Sequence, residues 1–361
     1  MAARPEPLTS MAAPMRVAVA LAALAVALLV LWLLAEVVLI AFTSALLAIT
    51  LRSIARQVEA RTPLSNAWSL VVAVLVVSAV VAAFVLMLGA QIYAQGAGLV
   101  ERLPELLDKV AARLQLPSIP ELLREALPNI LGGEVAGRVA SYTSRAVEVL
   151  ALAVLVIVAG VYLAADPCLY RRGLLLVMPP RWRKEGGRLL DNIGHALERW
   201  LIGQILAMLL VGVLTGVGLW LIGVPGSMAL GFLAGMADFV PLVGPMAAAL
   251  PAVLVALAEG GTMVFWVLAL YVLVQQIEGN LIMPLVQRRA VRLPPALSLF
   301  SILVFGVLFG PIGVLLAVPL AVVVYVAVRQ LYLRRYLGED VSVPGENERR
   351  RVARRASPAG S

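Results

Sequence analysis

Two carboxylates lie inside long apolar stretches of this chain, Asp238 and Glu278, and each has neighbours that could do chemistry. Asp238 opens the tract Asp238-Phe239-Val240-Pro241-Leu242-Val243-Gly244-Pro245, whose two prolines and glycine break a helix. Glu278 sits in Gln275-Gln276-Ile277-Glu278-Gly279-Asn280, followed by Met283-Pro284. On a helix Gln275, Glu278 and Gly279 share one face, and Gln276 and Asn280 share an adjoining one. A charged carboxylate near the bilayer centre costs about 2.5–3.5 kcal/mol on the insertion scale, so it is rarely present without a use. Such acids can bind a polar solute or a cation, or carry a coupling proton. Pro241, Gly244 and Pro245 would open backbone groups to the same ligand. Plainer roles stand beside these. Asp238 could make a structural hydrogen bond or sit in water near a hairpin tip, and the Gln/Glu/Asn cluster could be a polar network that holds helices together.

Other reactive residue types point nowhere comparable. Glu36 and Glu259 fall in turns between apolar segments, within reach of headgroups or water. Asp166-Pro167 closes a helix and reads as a stop signal. His195 lies among Asp191, Glu198 and Arg199 on an amphipathic stretch, as a surface histidine would. As the one histidine it cannot build a zinc site with Cys168, the one cysteine, which also excludes an internal disulfide. Ser227 has no histidine in a span to activate it, and no glycine-rich phosphate loop with its lysine is present. The sequence therefore predicts neither an enzyme nor a bound cofactor or metal.

The elements that must position these groups are membrane helices. The chain is 62% hydrophobic and 14% charged, with a mean hydropathy of +0.97, beyond what a soluble protein could keep from water. The apolar segments are approximately 16–34, 37–51, 67–90, 147–165, 201–222, 225–258, 262–284 and 295–328. Residues 225–258 would reach about 50 Å as one helix, against a hydrocarbon core of about 30 Å. The net charge of +8 rests almost wholly on arginine, in short loops and the tail rather than on a nucleic-acid-binding face. Arg52, Arg56 and Arg61, the cluster within 166–200, Arg288, Arg289 and Arg292, and the tail all belong in the cytoplasm by the positive-inside rule. Satisfying all four requires a cytoplasmic N-terminus and makes 225–258 and 295–328 hairpins from opposite faces. Eight simple spans would instead put Arg288–Arg292 outside.

The expected fold is thus all-α: a polytopic integral membrane protein with about six full transmembrane helices plus two helical hairpins. Residues 1–15 form a cytoplasmic N-terminus and 16–90 a scaffold of transmembrane helices. An extracytoplasmic helical insert (91–146) and a further transmembrane helix (147–165) follow. Residues 166–200 are a cytoplasmic amphipathic segment, 201–328 the transport core, and 329–361 a basic disordered cytoplasmic tail. Each hairpin follows a long helix, starts at proline (Pro225; Pro294-Pro295), turns at Gly-Pro (Gly244-Pro245; Gly310-Pro311) and carries a later proline (Pro251; Pro319). That is the pattern of an inverted repeat, whose binding site lies near the midplane. Gly212/Gly216, Gly231/Gly235 and Gly306/Gly310 permit close helix contact. Trp68, Trp182 and Trp200 fall at the inner boundary and Trp32, Trp220 and Trp266 near the outer one, as an aromatic belt.

The Asp238–Pro245 and Gln275–Pro284 tracts resemble the autoinducer-2 exporter (AI-2E) family of bacterial permeases. Tyr162-Leu163-Ala164-Ala165-Asp166, Met178-Pro179-Pro180-Arg181-Trp182 and Gly203-Gln204 add to the resemblance. So do Leu219-Trp220-Leu221-Ile222-Gly223-Val224-Pro225 and Arg289-Ala290-Val291-Arg292-Leu293-Pro294-Pro295. It covers roughly residues 14–340. It implies a multi-pass protein of the bacterial inner membrane with both termini cytoplasmic, forming homo-oligomers. Export of autoinducer-2 and sodium/proton antiport are both activities of such proteins, so the resemblance leaves the solute open. Glutamate or asparagine often stands near Asp238 in the family.

Together these readings predict a secondary transporter moving a small polar solute or ion, coupled to H+ or Na+. Asp238, Glu278, Gln275, Gln276 and Asn280 would line the pathway, with Pro241, Gly244 and Pro245 at the hairpin tip. Partners would be the lipid bilayer, the solute or ion and further copies of the chain, without nucleic acid. An uncoupled channel and a non-transporting membrane scaffold are the alternatives.

Overall fold

The structure, a computed structural model, describes residues 26, 29, 33–87, 151–241, 243–259, 261–283, 293–339 and 341–346. The expected N-terminus (1–15), nearly all of the first apolar segment (16–34), the insert 91–146, the Arg288–Arg292 loop and the end of the tail lie outside the described residues. Hydrocarbon offers backbone groups no partners, so a chain of this composition must satisfy them within helices. Among the described residues every regular element is helical. These are α1 (Ala35–Glu59), α2 (Asn66–Met87), α3 (Ala151–Ala165), α4 (Pro167–Val177), α5 (Pro180–Ile222), α6 (Ser227–Ala237), α7 (Val243–Glu259), α8 (Gly261–Ile277) and α9 (Pro295–Ala327). Wider π-helical turns extend α8 over Glu278–Ile282 and α9 over Val328–Tyr336. Five described helices are long and apolar enough to cross a membrane. The chain is an all-α, polytopic membrane protein.

The organising element is α5. Its 43 residues extend about 65 Å, and it touches α1, α4, α6, α8 and α9. The sequence places a boundary between an amphipathic segment ending at 200 and a core starting at 201, but the helix passes through without a break. Polarity changes there while nothing in the backbone interrupts hydrogen bonding. Pro180 stands at the helix start, where its missing N–H costs nothing. The helix ends only at Gly223, whose φ of 88° lets the Val224 and Gly223 N–H groups bond back to the Leu219 and Trp220 carbonyls, both at 3.0 Å.

Two further devices set the frame. Arg52 of α1 donates from Nε to the Ala164 carbonyl (2.6 Å) and from Nη2 to the Ala165 carbonyl (3.1 Å). Its Nη1 reaches Asn66 Oδ1 at 2.9 Å. One guanidinium thus caps the open C-terminal carbonyls of α3 and ties three helices together. At that point the chain bends by 92° into α4, where the Asp166 side chain caps the new helix by accepting from Leu169 N–H at 3.1 Å. Asp166-Pro167 is therefore both a stop and a start.

Both long apolar segments fold back on themselves. A Cβ on Gly244 would overlap the Ala237 carbonyl, so α6 and α7 meet backbone to backbone across the tip. In the second segment Gly310 takes φ 65° and ψ −148°, and a Cβ on Gly313 would overlap the Phe305 carbonyl. Residues eight apart on a straight helix are about 12 Å apart, so that contact requires reversal at Gly310-Pro311. Phe239 and Phe309, one at each tip, pack in a single cluster with Trp200, Leu201, Leu316 and Val322.

Two expectations need correction. Trp200 is not part of an interfacial belt; it is 7% exposed, set edge-on to the Phe239 ring at 5.9 Å between centroids. The polarity change at 200 marks its place along α5 but not the face it occupies. Nor is the tail disordered from 329. Residues 328–336 are helical, and residues 341–346 pack on α5, with Val343 in the core and Gly345 against the Asn192 carbonyl. The basic composition of 329–361 conceals a half-buried Arg334–Glu346 pair with bonds of 2.9 and 3.0 Å.

Helices α5 and α6 run antiparallel, with Gly212 and Gly216 facing Gly231 and Gly235. A Cβ on Gly235 would lie 2.9 Å from Gly212 Cα, and one on Gly212 would lie 3.1 Å from the Gly231 carbonyl oxygen. The obstacle in each case is backbone, which cannot swing aside. Gly231→Leu should therefore destabilise the fold by about 1–3 kcal/mol or force the helices apart. Thermal unfolding of the purified protein in detergent checks this, with Gly173→Leu, at a glycine facing open space, as the unaffected comparison.

Candidate functional site

The glycine contacts carry directly to the acid. Along the α5/α6 pair the facing positions advance in step: Gly216 with Ser227, Gly212 with Gly231, Met208 with Gly235. The next rung is a hydrogen bond, from Gln204 Nε2 to the Asp238 backbone carbonyl at 2.7 Å. Asp238 is the last residue of α6's final turn. A carboxylate there meets the negative end of the helix dipole, so nothing local favours an acid at this position.

Burial sharpens the point. Asp238 is 1% exposed, Glu278 3% and Gln204 5%. Both Asp238 carboxyl oxygens are buried without a hydrogen-bond partner among the described residues. Glu278 lies on the π-helical end of α8, which packs against α5. Its Oε2 accepts from Gln275 Nε2 at 2.9 Å. A buried acid with one oxygen bonded and a buried acid with both oxygens open are each able to take up a proton or a cation.

The structure places Asp238, Pro241, Gly244 and Pro245 at the first hairpin tip, and pairs Gln275 with Glu278 at the end of α8. Gly244 and Pro245 are buried and Pro241 half-buried. Gln276 and Asn280 do not join this group: they bond to each other at 3.1 Å on an exposed face. The i, i+4 pairing satisfies both amides locally, which is why sharing a helical face did not make them neighbours of the acid. His195 is exposed, as are Glu36 and Glu259.

Several features escaped the sequence reading. Gln204 is the single amide within the apolar run 201–222, and attention to all polar side chains at membrane depth, not only carboxylates, would have found it. The wide turn at Glu278–Ile282 has a signal too. Pro284 lacks an N–H and clashes with the carbonyl four residues earlier, so the helix must stop or widen before it. Thr215, buried on α5 with its hydroxyl unpaired among the described residues, gave no pattern to detect.

Comparison with known proteins settles the family. The AI-2E family transporter profile matches residues 21–333. The chain belongs to the AI-2E transporter family. Relatives include YrrI of Bacillus subtilis (strain 168), named as a candidate transport protein, at 31% identity over 46% of this chain and 47% of YrrI. PerM of Escherichia coli (strain K12), named as a candidate permease, is 31% identical over 40% of this chain and 42% of its own length. TqsA of the same strain, named an AI-2 transport protein, is 28% identical over 40% of this chain and 41% of TqsA. The chain spans less than half the length of these relatives in each match.

Gln204→Leu removes the donor to the Asp238 carbonyl while filling the same space. The buried carbonyl is left unpaired, for an expected loss of about 1–3 kcal/mol. Comparing melting of Gln204→Leu with that of Ile205→Leu, an exposed neighbour on α5, tests whether this bond fixes the hairpin tip; equal melting would show that it does not.

Proposed function

We propose that this AI-2E family member is a secondary transporter of the bacterial inner membrane, with both termini in the cytoplasm. It moves a small polar solute or ion by alternating access, coupled to H+ or Na+. The observation that carries this reading is the Asp238 carboxyl, buried and without a hydrogen-bond partner among the described residues. A buried acid kept for structure has its oxygens bonded. One that takes up and releases a proton or cation must offer open oxygens in at least one state. Glu278 is its coupled partner and Gln275 orients Glu278. The two hairpins, with α5 and α8, form the moving unit around this point. The helices before residue 166 form the scaffold and the contact between copies of the chain.

The similarity to TqsA favours a second reading of the solute, autoinducer-2, exported on the same acids. The name of a relative matched over part of its length supports this at the level of solute class only, so the coupling is tested first.

Purified protein is reconstituted in vesicles enclosing a pH-sensitive dye, and a sodium gradient is imposed. Sodium-driven proton movement is expected in the unaltered protein. It should fall to the level of empty vesicles in Glu278→Gln and Asp238→Asn, with insertion and melting preserved. Flux that persists in both well-folded variants would remove the acids from the mechanism. Proton leak independent of the gradient would point to a channel, and no flux of any solute to a scaffold.

A further inference from the structure

At the other end of α5, remote in sequence from the acid pair, α4, the first turns of α5 and the π-helical segment after α9 enclose a cavity of about 1190 Å³. Six cationic side chains line it against three carboxylates. Every one of those carboxylates is already engaged. Asp191 pairs with Arg171 at 2.9 Å, Glu185 with Arg335 at 2.9 Å and Glu346 with Arg334 at 2.9 Å. Arg183 donates to the Met178 and Leu176 carbonyls, at 3.1 and 3.3 Å. Lys184 and Arg188 remain, with no carboxylate within ion-pair distance among the described residues.

Lys184 and Arg188 are four apart on α5, so they project from one face. Like charges at that spacing weaken a helix, and this pair is a cost unless an anion sits between. Of the cations around them, Arg171, Arg334 and Arg335 hold ion pairs and Arg183 bonds to backbone carbonyls, and Arg335 also lies over the Trp182 ring at 4.5 Å. The wall therefore sets two exposed cations, Lys184 and Arg188, among cations that already have partners. Several cations approaching from three elements suit a ligand with several acceptor oxygens, and phosphate offers these with a charge near −2. The space exceeds a single phosphate and accommodates the group that carries it.

The setting is a membrane surface. Helix α4 turns 92° away from α3 and exposes Leu169, Leu174 and Leu176 while carrying Arg171 into the cavity wall. An amphipathic helix in that attitude lies in the headgroup layer, where basic pockets meet lipid phosphates. We propose that this cavity is a binding site for a phosphate-bearing anion, with Lys184 and Arg188 as its principal ligands. The phosphate comes from an anionic lipid headgroup or from a soluble phosphorylated molecule. The site stands apart from Asp238 and Glu278, and the proposal does not depend on the transport reading.

Both sources can be probed on the full chain. Native mass spectrometry compares phosphatidylglycerol with phosphatidylcholine bound to the detergent-purified protein, and calorimetry measures inorganic pyrophosphate. The double variant Lys184→Gln/Arg188→Gln alters two exposed side chains, and Arg199→Gln removes a charge from the same end of α5 outside the cavity. If the double variant melts early, Lys184→Gln alone replaces it. Binding of either probe should weaken at least about tenfold in the cavity variant and stay within about twofold in Arg199→Gln. A phosphatidylglycerol preference with this pattern identifies a lipid site; pyrophosphate binding with this pattern and no lipid preference identifies a soluble ligand. Equal binding by the unaltered protein and the cavity variant, equal weakening by Arg199→Gln, or no binding of either probe overturns the proposal.

Discussion

Backbone contact between α5 and α6 is the constraint on which the rest of this molecule depends. Lipid tails are as apolar as leucine, so two membrane helices gain little by hiding side chains and must gain by approaching closely. Four glycines let them do so; a Cβ added to Gly212 would lie only 3.1 Å from the Gly231 carbonyl oxygen. A ladder of this kind has one register. It therefore determines where α6 ends along α5, which puts the Asp238 carbonyl opposite Gln204. The acid is placed by the absence of side chains about one and two turns back along α6.

What that placement produces is a conflict between charge and surroundings. Asp238 stands at the unfavourable end of its helix and out of water. Elsewhere the protein resolves such conflicts: Arg52 satisfies the α3 carbonyls and Asp166 caps α4. Glu278 is partly resolved by Gln275. Asp238 alone of the buried acids keeps both oxygens unpaired among the described residues. Leaving a whole carboxyl open places an unfavourable electrostatic burden at the point where two hairpin tips meet α5.

Much of this was legible in the chain. The excess length of 225–258 and 295–328, with Gly-Pro in each, foretold reversal, because a wholly apolar helix of that length would carry apolar side chains far into water. Asp238 and Glu278 stood out because charge at membrane depth is expensive. Facing was harder to read. Trp200 and Gln204 both have their faces set by what packs on α5, which one helix's sequence does not contain. Gln276 and Asn280 shared a helical face with no buried partner on it. In the tail, Arg334 looked like one more basic residue, since its pairing with Glu346 depends on a fold-back with no periodicity to announce it. Spacing reveals which residues can meet along one element; it is silent on which element comes to meet them.

The two hairpin tips use the same amino acid for unlike reasons. At 244 the limit is volume, since the Ala237 carbonyl occupies the place of any Cβ. At 310 nothing lies within 4 Å of that position, yet φ 65° with ψ −148° is a region that essentially only glycine enters. Reflected through the origin, those angles become −65° and 148°, which are ordinary for an L-residue. Handedness, not size, is what excludes a side chain from the second tip, and a mirror-image alanine built in there would find its own preferred backbone waiting.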